Sequence, residues 1–269
     1  MLSAPFHIMQ AAYLARRRPK KPTGLIIYNG PSLLDGSPIA VIALHHTTNT
    51  KTADTVQTYI IRRDADPITA NRTGLDFGIC GTCPQKGTPN DNDSGYADDR
   101  GCYVALIHGP LAVYKALRRH QYPDYSNAPD LIRAAGAGRE VRIGTYGDGA
   151  AVPRHVWDNL LADCTGHTAY SHQALTLGSS FDAALYMRSV QDLPEAMDAW
   201  KDGARTFRVI ARTDELTPAE ILCPASKEMN YKTTCARCGL CAGNTLNAKS
   251  IAIVAHGTGA RNAVGAKAA

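Results

Sequence analysis

Seven of the eight cysteines in this chain fall into two groups whose spacing suits metal chemistry. Cys223, Cys235, Cys238 and Cys241 share the segment LCPASKEMNYKTTCARCGLCAG at 222–243, and the last three form a C-x2-C-x2-C run. Two-residue spacers let a tight turn present successive sulfurs to one centre. Four thiols complete a tetrahedral zinc site or ligate all four irons of a [4Fe–4S] cluster. The run favours iron–sulfur. Zinc, the alternative, usually takes two separated C-x2-C pairs, and the middle cysteine here would crowd a tetrahedron. The second group, Cys80, Cys83 and Cys102 in CGTCP followed by GCY, offers three thiols. Three ligands leave a coordination position open, which is what catalysis at a metal requires. Asp76, Asp98, Asp99 and His108 are the nearby candidates for a fourth ligand. Cys164 reads as a small core residue on the helix HVWDNLLADC.

Other polar residues sit where strands are predicted to end. Asp148 follows Gly147 after one strand, His172 lies in AYSHQ, and His256 closes the last apolar run. In a (β/α)-barrel the C-terminal ends of the strands form the active-site face, which makes Asp148, His172 and His256 the candidate catalytic residues. Helix capping by Asp148 and structural roles for the two histidines are the competing readings. His45 and His46 lack the His-hydrophobe-His pattern of a rolling-circle endonuclease. Asn49, Thr50, Lys51 and Thr52 resemble a phosphate-contacting turn without the Walker glycines of an NTPase.

Basic residues cluster at Arg16, Arg17, Arg18, Lys20 and Lys21, and again at Lys115, Arg118 and Arg119. Such patches attract phosphates, so both are candidate nucleic-acid contacts, with solvated surface charge as the bland alternative. No apolar run reaches the length of a membrane span, and the N-terminal segment lacks a secretory core. Eight cysteines without an export signal point to reduced thiols and a cytoplasmic location, the host cytoplasm if the gene is phage-borne.

The elements that must hold these residues follow an α/β rhythm. Residues 1–22 read as a basic arm. LIIYNG and IAVIALHH predict a hairpin, and TVQTYIIRR a third strand. Residues 64–101 read mostly as loop, anchored by whatever the cysteines bind. CYVALI, VRIGTYGD, HTAYSHQ, ALYMRSV, TFRVIAR, ILCPAS and SIAIVAHG predict further strands. PLAVYKALRRH, RHVWDNLLADC and LPEAMDAWKDG predict helices between them. That alternation implies parallel strands with crossover helices. The expected fold is a single α/β domain over 23–257, a complete or partial (β/α)-barrel ahead of an open sheet. It carries an N-terminal hairpin extension, Cys-rich loops at 80–102 and 222–243, and a flexible tail at 258–269.

The segments NTKTADTVQTYIIRRDADP, CGTCP…CYV…GPLAVYKALRRHQYP, RIGTYGDGAAVPRHVW, AYSHQ and LCPAS…TTCARCGLCAG…IAIVAHG resemble a group of cysteine-rich proteins found in phages, plasmids and bacteria. The resemblance spans roughly residues 25–257 and implies a mobile-element origin, without an activity. The layout also resembles radical SAM enzymes with an auxiliary cluster domain, which would put Gly147-Asp148 near their glycine-rich SAM contact. Where those enzymes carry C-x3-C-x2-C, this chain carries C-x2-C-x18-C.

Two functional classes follow. One is a redox or radical-type enzyme with an open three-cysteine cluster, a closed four-cysteine auxiliary site and a small-molecule or macromolecular substrate. The other is a zinc-stabilised nucleic-acid-binding protein of phage or plasmid replication or packaging, or a virion or assembly component stapled by metal.

Overall fold

The computed structural model describes residues 22–45, 54–244 and 246–265. The basic residues at 16–21, His46 and the turn at 49–52 lie outside the described residues. The described chain builds two five-stranded sheets, in the orders β1-β2-β3-β4-β5 and β6-β7-β8-β10-β9. The α/β class with parallel strands is as expected.

In the first sheet, β1 (Gly24–Pro31), β2 (Pro38–Leu44) and β3 (Val56–Arg62) are antiparallel neighbours. The tight turn between β1 and β2 uses Gly36 at φ +75°, donating its N–H to the Ser32 carbonyl, so the predicted hairpin is present. Beyond β3 the sheet turns parallel, through β4 (Glu140–Tyr146) and β5 (Gly166–Thr168). The second sheet is parallel throughout: β6 (Tyr170–Ser171), β7 (Met187–Val190), β8 (Thr206–Ile210), β10 (Ser250–Val254) and, at its edge, β9 (Glu220–Leu222).

The two sheets meet in one extended segment. Gly166–Thr168 pairs with β4, Tyr170–Ser171 pairs with β7, and Ala169 between them bridges to Ala242 of the C-terminal cysteine loop. The larger core lies over the first sheet, where Ile27, Ile39, Ile42, Ile60 and Trp157 are fully buried. A smaller core under the second sheet gathers Met187, Ile251 and Ile253 with Cys223. Arg208 and Glu220 form a buried bidentate ion pair that ties β8 to β9 across β10.

Several expectations fail in instructive ways. CYVALI forms no strand. Its carbonyls at Cys102 and Val104 accept from the Arg100 guanidinium, so a side chain takes the place of a strand neighbour. Residues 64–101 are mostly irregular, as expected, but also hold the short helices Pro67–Arg72 and Phe77–Cys80, the first capped by Asp66 accepting from Ile68 N and Thr69 N. Helix Pro129–Gly136 was not foreseen. Helix Arg154–Leu161 stops short of Cys164, which packs, partly buried, against the larger core. Within the segment expected as a tail, Ala260–Gly265 is a short helix with Ala263 buried.

Candidate active site

One cavity of about 550 Å³ collects residues from both sheets and both cysteine groups. Its walls include Gln57 and Tyr59, Thr168 and Tyr170, Phe207 and Val209, and Ile253 and Ala255. Each is an i, i+2 pair, so a single face of β3, β5–β6, β8 and β10 turns toward the same space. In β4, Gly144 at φ +70° shifts the alternation, and Arg142 and Thr145 both line the cavity. Cys83 and Cys102 open on to it from one side, and Cys223, Cys235 and Cys241 from another. Two cysteine groups separated by over a hundred residues in sequence therefore line one cavity.

The first cysteine loop hangs on two glutamines. Gln173, fully buried, donates Nε2–H to the Cys80 carbonyl and accepts at Oε1 from Thr82 N. Gly81 between them has φ +55°, and a Cβ there would collide with the Gln173 amide. Farther along, Gly101 N and Cys102 N both donate to the Gln85 carbonyl, and Gln85 Nε2 donates to Gln191 Oε1 at the end of β7. Gln173 and Gln191 thus carry the loop on the ends of adjacent parallel strands.

The C-terminal loop hangs on one arginine. Arg205, 6% exposed, donates to the carbonyls of Leu240, Gly243, Ala248 and Lys249 at 2.7–3.0 Å. Ala169 N adds a bond to the Cys241 carbonyl at the junction of the sheets. Neither Arg205 nor the glutamines stood out in the sequence. AYSHQ drew attention to its histidine, whereas its glutamine holds the cysteine loop.

None of the eight cysteines is joined in a disulfide. Burial raises Cys80, with Asp76, Cys83 and Cys102 nearby raising it further; burial likewise raises Cys83 and Cys102. Cys241 is pushed up to about 12 by burial and by Cys223, Cys235 and Cys238. Such thiols stay protonated at neutral pH and are poor nucleophiles unless a cation takes the proton's place. Within each group they lie close enough to interact electrostatically. Yet among the described residues no three His, Cys, Asp or Glu side chains converge on the position of one metal ion.

The candidate catalytic residues separate. Asp148 does not line the cavity. Its buried carboxylate accepts from Ala150 N, Ser171 Oγ, His172 N and Gln173 Nε2 at 2.9–3.2 Å, linking the end of β4 to the end of β6. Burial raises its pKa, and the four donors oppose that rise. Asp148 thus caps the turn Gly149–Ala151, and neither Gly147 nor Asp148 lines this cavity. His172 does line the cavity, and burial pushes its imidazole down to about 4, so it is neutral at pH 7. His256 also lines it, exposed, with Nδ1 3.1 Å from the Val254 carbonyl and its ring 5.7 Å from that of Tyr103.

Of the fourth-ligand candidates, Asp76 accepts from Asn71 Nδ2 and pairs with Lys86 at 3.7 Å. Its Oδ1 has no hydrogen-bond partner, and it stands near enough to Cys80 to raise that thiol. Asp98 accepts from Asn90 Nδ2 on the exposed side of the loop, Asp99 is exposed, and His108 lines the cavity. Lys115, Arg118 and Arg119 are exposed at the end of helix Gly109–Arg118, whose other end, at Gly109 and Pro110, lines the cavity. About 12 Å of helix separates the two features.

No helix among the described residues is long and apolar enough to cross a membrane. No family model, curated protein or solved structure matches the chain.

Proposed function

We propose that this chain is an iron–sulfur protein whose two cysteine groups serve one substrate cavity, and that it acts as a redox or radical-type enzyme. The observation that carries this reading is that Cys83 and Cys102 share a cavity with Cys223, Cys235 and Cys241. Structural staples would have no reason to share a ligand-sized space. Cys223, Cys235, Cys238 and Cys241 would hold a closed cluster, and Cys80, Cys83 and Cys102 a cluster with one open iron. A cluster spreads its cysteines over different irons, so their sulfurs stand farther apart than around one ion. The C-x2-C-x2-C run, whose middle cysteine would crowd a tetrahedron, suits that arrangement better than zinc.

When bound, such clusters supply one-electron chemistry. The protein's own contribution is to bury the thiols, position the loops through Gln173, Gln191 and Arg205, and shape the cavity. The shared face of the two sheets also favours reading them as one partial (β/α)-barrel with the cavity on its concave side. The C-x2-C-x18-C spacing differs from that of radical SAM enzymes, so SAM cleavage forms no part of the proposal. A mobile-element origin, as the sequence resemblance implies, fits but is not needed.

Anaerobic purification with iron, acid-labile sulfide and zinc analysis tests the reading. The expected protein is brown and contains iron and sulfide. Cys235→Ser with Cys238→Ser removes one cluster's share, and Cys80→Ser with Cys83→Ser removes the other's. A colourless protein holding only stoichiometric zinc would refute it and favour the zinc-stabilised alternative.

A further inference from the structure

The polar groups of the cavity floor are unevenly satisfied. Arg142, Gln57 and Thr168 lie side by side, in register across β3, β4 and β5, and all three line the cavity. Arg142 Nη2 donates to Tyr103 Oη at 2.6 Å and to Tyr170 Oη at 2.8 Å. Its Nε is buried without a partner, and among the described residues Nη1 has no acceptor and no carboxylate pairs with the guanidinium. Three of its five N–H donors are therefore unspent. The Thr168 and Thr145 hydroxyls, also on the cavity wall, are buried and unpartnered as well. The two phenols accept from Arg142 and keep their own O–H groups to donate.

Arg142 is half-buried, with its Nε fully enclosed, and no carboxylate neutralises it; the natural counterpart of such a guanidinium is an oxyanion held by the planar fork. The surrounding walls are mostly apolar and aromatic, with Tyr170 stacked on Phe207 at a centroid distance of 4.5 Å. Arginine keeps its charge throughout the physiological pH range, so the cation persists.

From this arrangement we infer that the cavity holds a small organic oxyanion, a carboxylate or phosphate on an apolar or planar body. Arg142 receives the charged group, Thr168 and the Tyr103 and Tyr170 hydroxyls add hydrogen bonds, and Tyr170–Phe207 supports the body. The inference names a substrate class for the proposed site but rests only on the cavity, so it stands or falls separately from what the cysteines bind.

Equilibrium fluorescence titration of the full-length protein with anilinonaphthalene sulfonate, an anion on an apolar body, tests it. Its uncharged analogue phenylnaphthylamine serves as the control. The wild-type protein, with or without iron, should bind the anion roughly tenfold or more tightly than the neutral analogue, and Arg142→Gln should abolish that preference while leaving the analogue's affinity unchanged. Arg142→Lys should retain part of it. Displacement by benzoate identifies a carboxylate site and displacement by phenyl phosphate a phosphate site; either supports the inference. Equal binding of charged and neutral probes by the wild-type protein overturns it, a result that does not depend on any variant folding. So does an Arg142→Gln protein that keeps the preference, even if its visible spectrum changes, because Arg142 would then serve the cysteine group alone. A colourless, iron-free protein that still prefers the anion would refute the cluster reading and leave this one intact.

Discussion

Arg205 shows how a residue with no motif can govern a motif. Its guanidinium satisfies two carbonyls within the segment that carries Cys235, Cys238 and Cys241 and two just after it, and lysine cannot reproduce that fork. Arg205→Ala should cost on the order of 4 kcal/mol, because it leaves buried carbonyls unpaired. It should also speed the reaction of the C-terminal thiols with a disulfide reagent at urea concentrations where the wild-type protein stays folded. Denaturant titration and thiol-labelling rates check both. His172 gives a pH prediction. Its folded pKa, about 4, lies below the ordinary 6.5, so between those values the unfolded chain binds more protons. The stability this group contributes is complete above pH 6.5 and falls as pH drops. From pH 7 to pH 5 the wild-type protein should therefore lose about 2 kcal/mol more than His172→Gln. Equal losses, measured by chemical denaturation at both pH values, would contradict the burial argument. The cysteines and His172 were legible in the sequence because chemistry marks their side chains. Arg205 and Gln173 were not, because their partners are backbone carbonyls and amides far along the chain.

The strands and helices with strong local signals were readable from the sequence, and the segments held by distant side chains were not. β1 to β4 follow apolar runs, with turn residues between β1 and β2, and Pro110 and Pro153 mark helix starts correctly. CYVALI misled because an apolar run of that length looks the same whether strand neighbours or Arg100 satisfy its carbonyls. The Asp66-Pro67 start of helix Pro67–Arg72 is a local signal, though one set in a segment dominated by polar loop residues. The loop at 80–83 supplies the matching prediction. Gly81 combines a positive φ with contact against Gln173. Gly81→Ala should destabilise the protein by about 1–3 kcal/mol. It should lower iron retained by the Cys80, Cys83 and Cys102 group more than iron retained by the C-terminal group. Metal analysis of Gly81→Ala in a background lacking one group or the other would detect the asymmetry, and equal losses at the two groups would count against local control by Gln173.

What no stretch of sequence reveals is that the two cysteine groups line one cavity. That follows from the path of the chain: Gly166–Ser171 passes from one sheet into the other, the strands beyond it are parallel, and the loop containing Cys235–Cys241 returns to pair with Ala169. A parallel strand order brings loops from remote segments to the same end of a sheet, as the rhythm of strands and helices led one to expect. The joint of the two sheets and the cavity they share depend on register, which composition and periodicity do not encode. The account therefore rests on proximity across a cavity of about 550 Å³. Electron paramagnetic resonance of the anaerobically prepared, dithionite-reduced protein tests it most directly. Two clusters facing one cavity should give a spectrum broadened by magnetic interaction, collapsing to the signal of a single isolated cluster in Cys235→Ser/Cys238→Ser. A reduced protein without any cluster signal, or one whose spectrum is the simple sum of two non-interacting clusters, would contradict it.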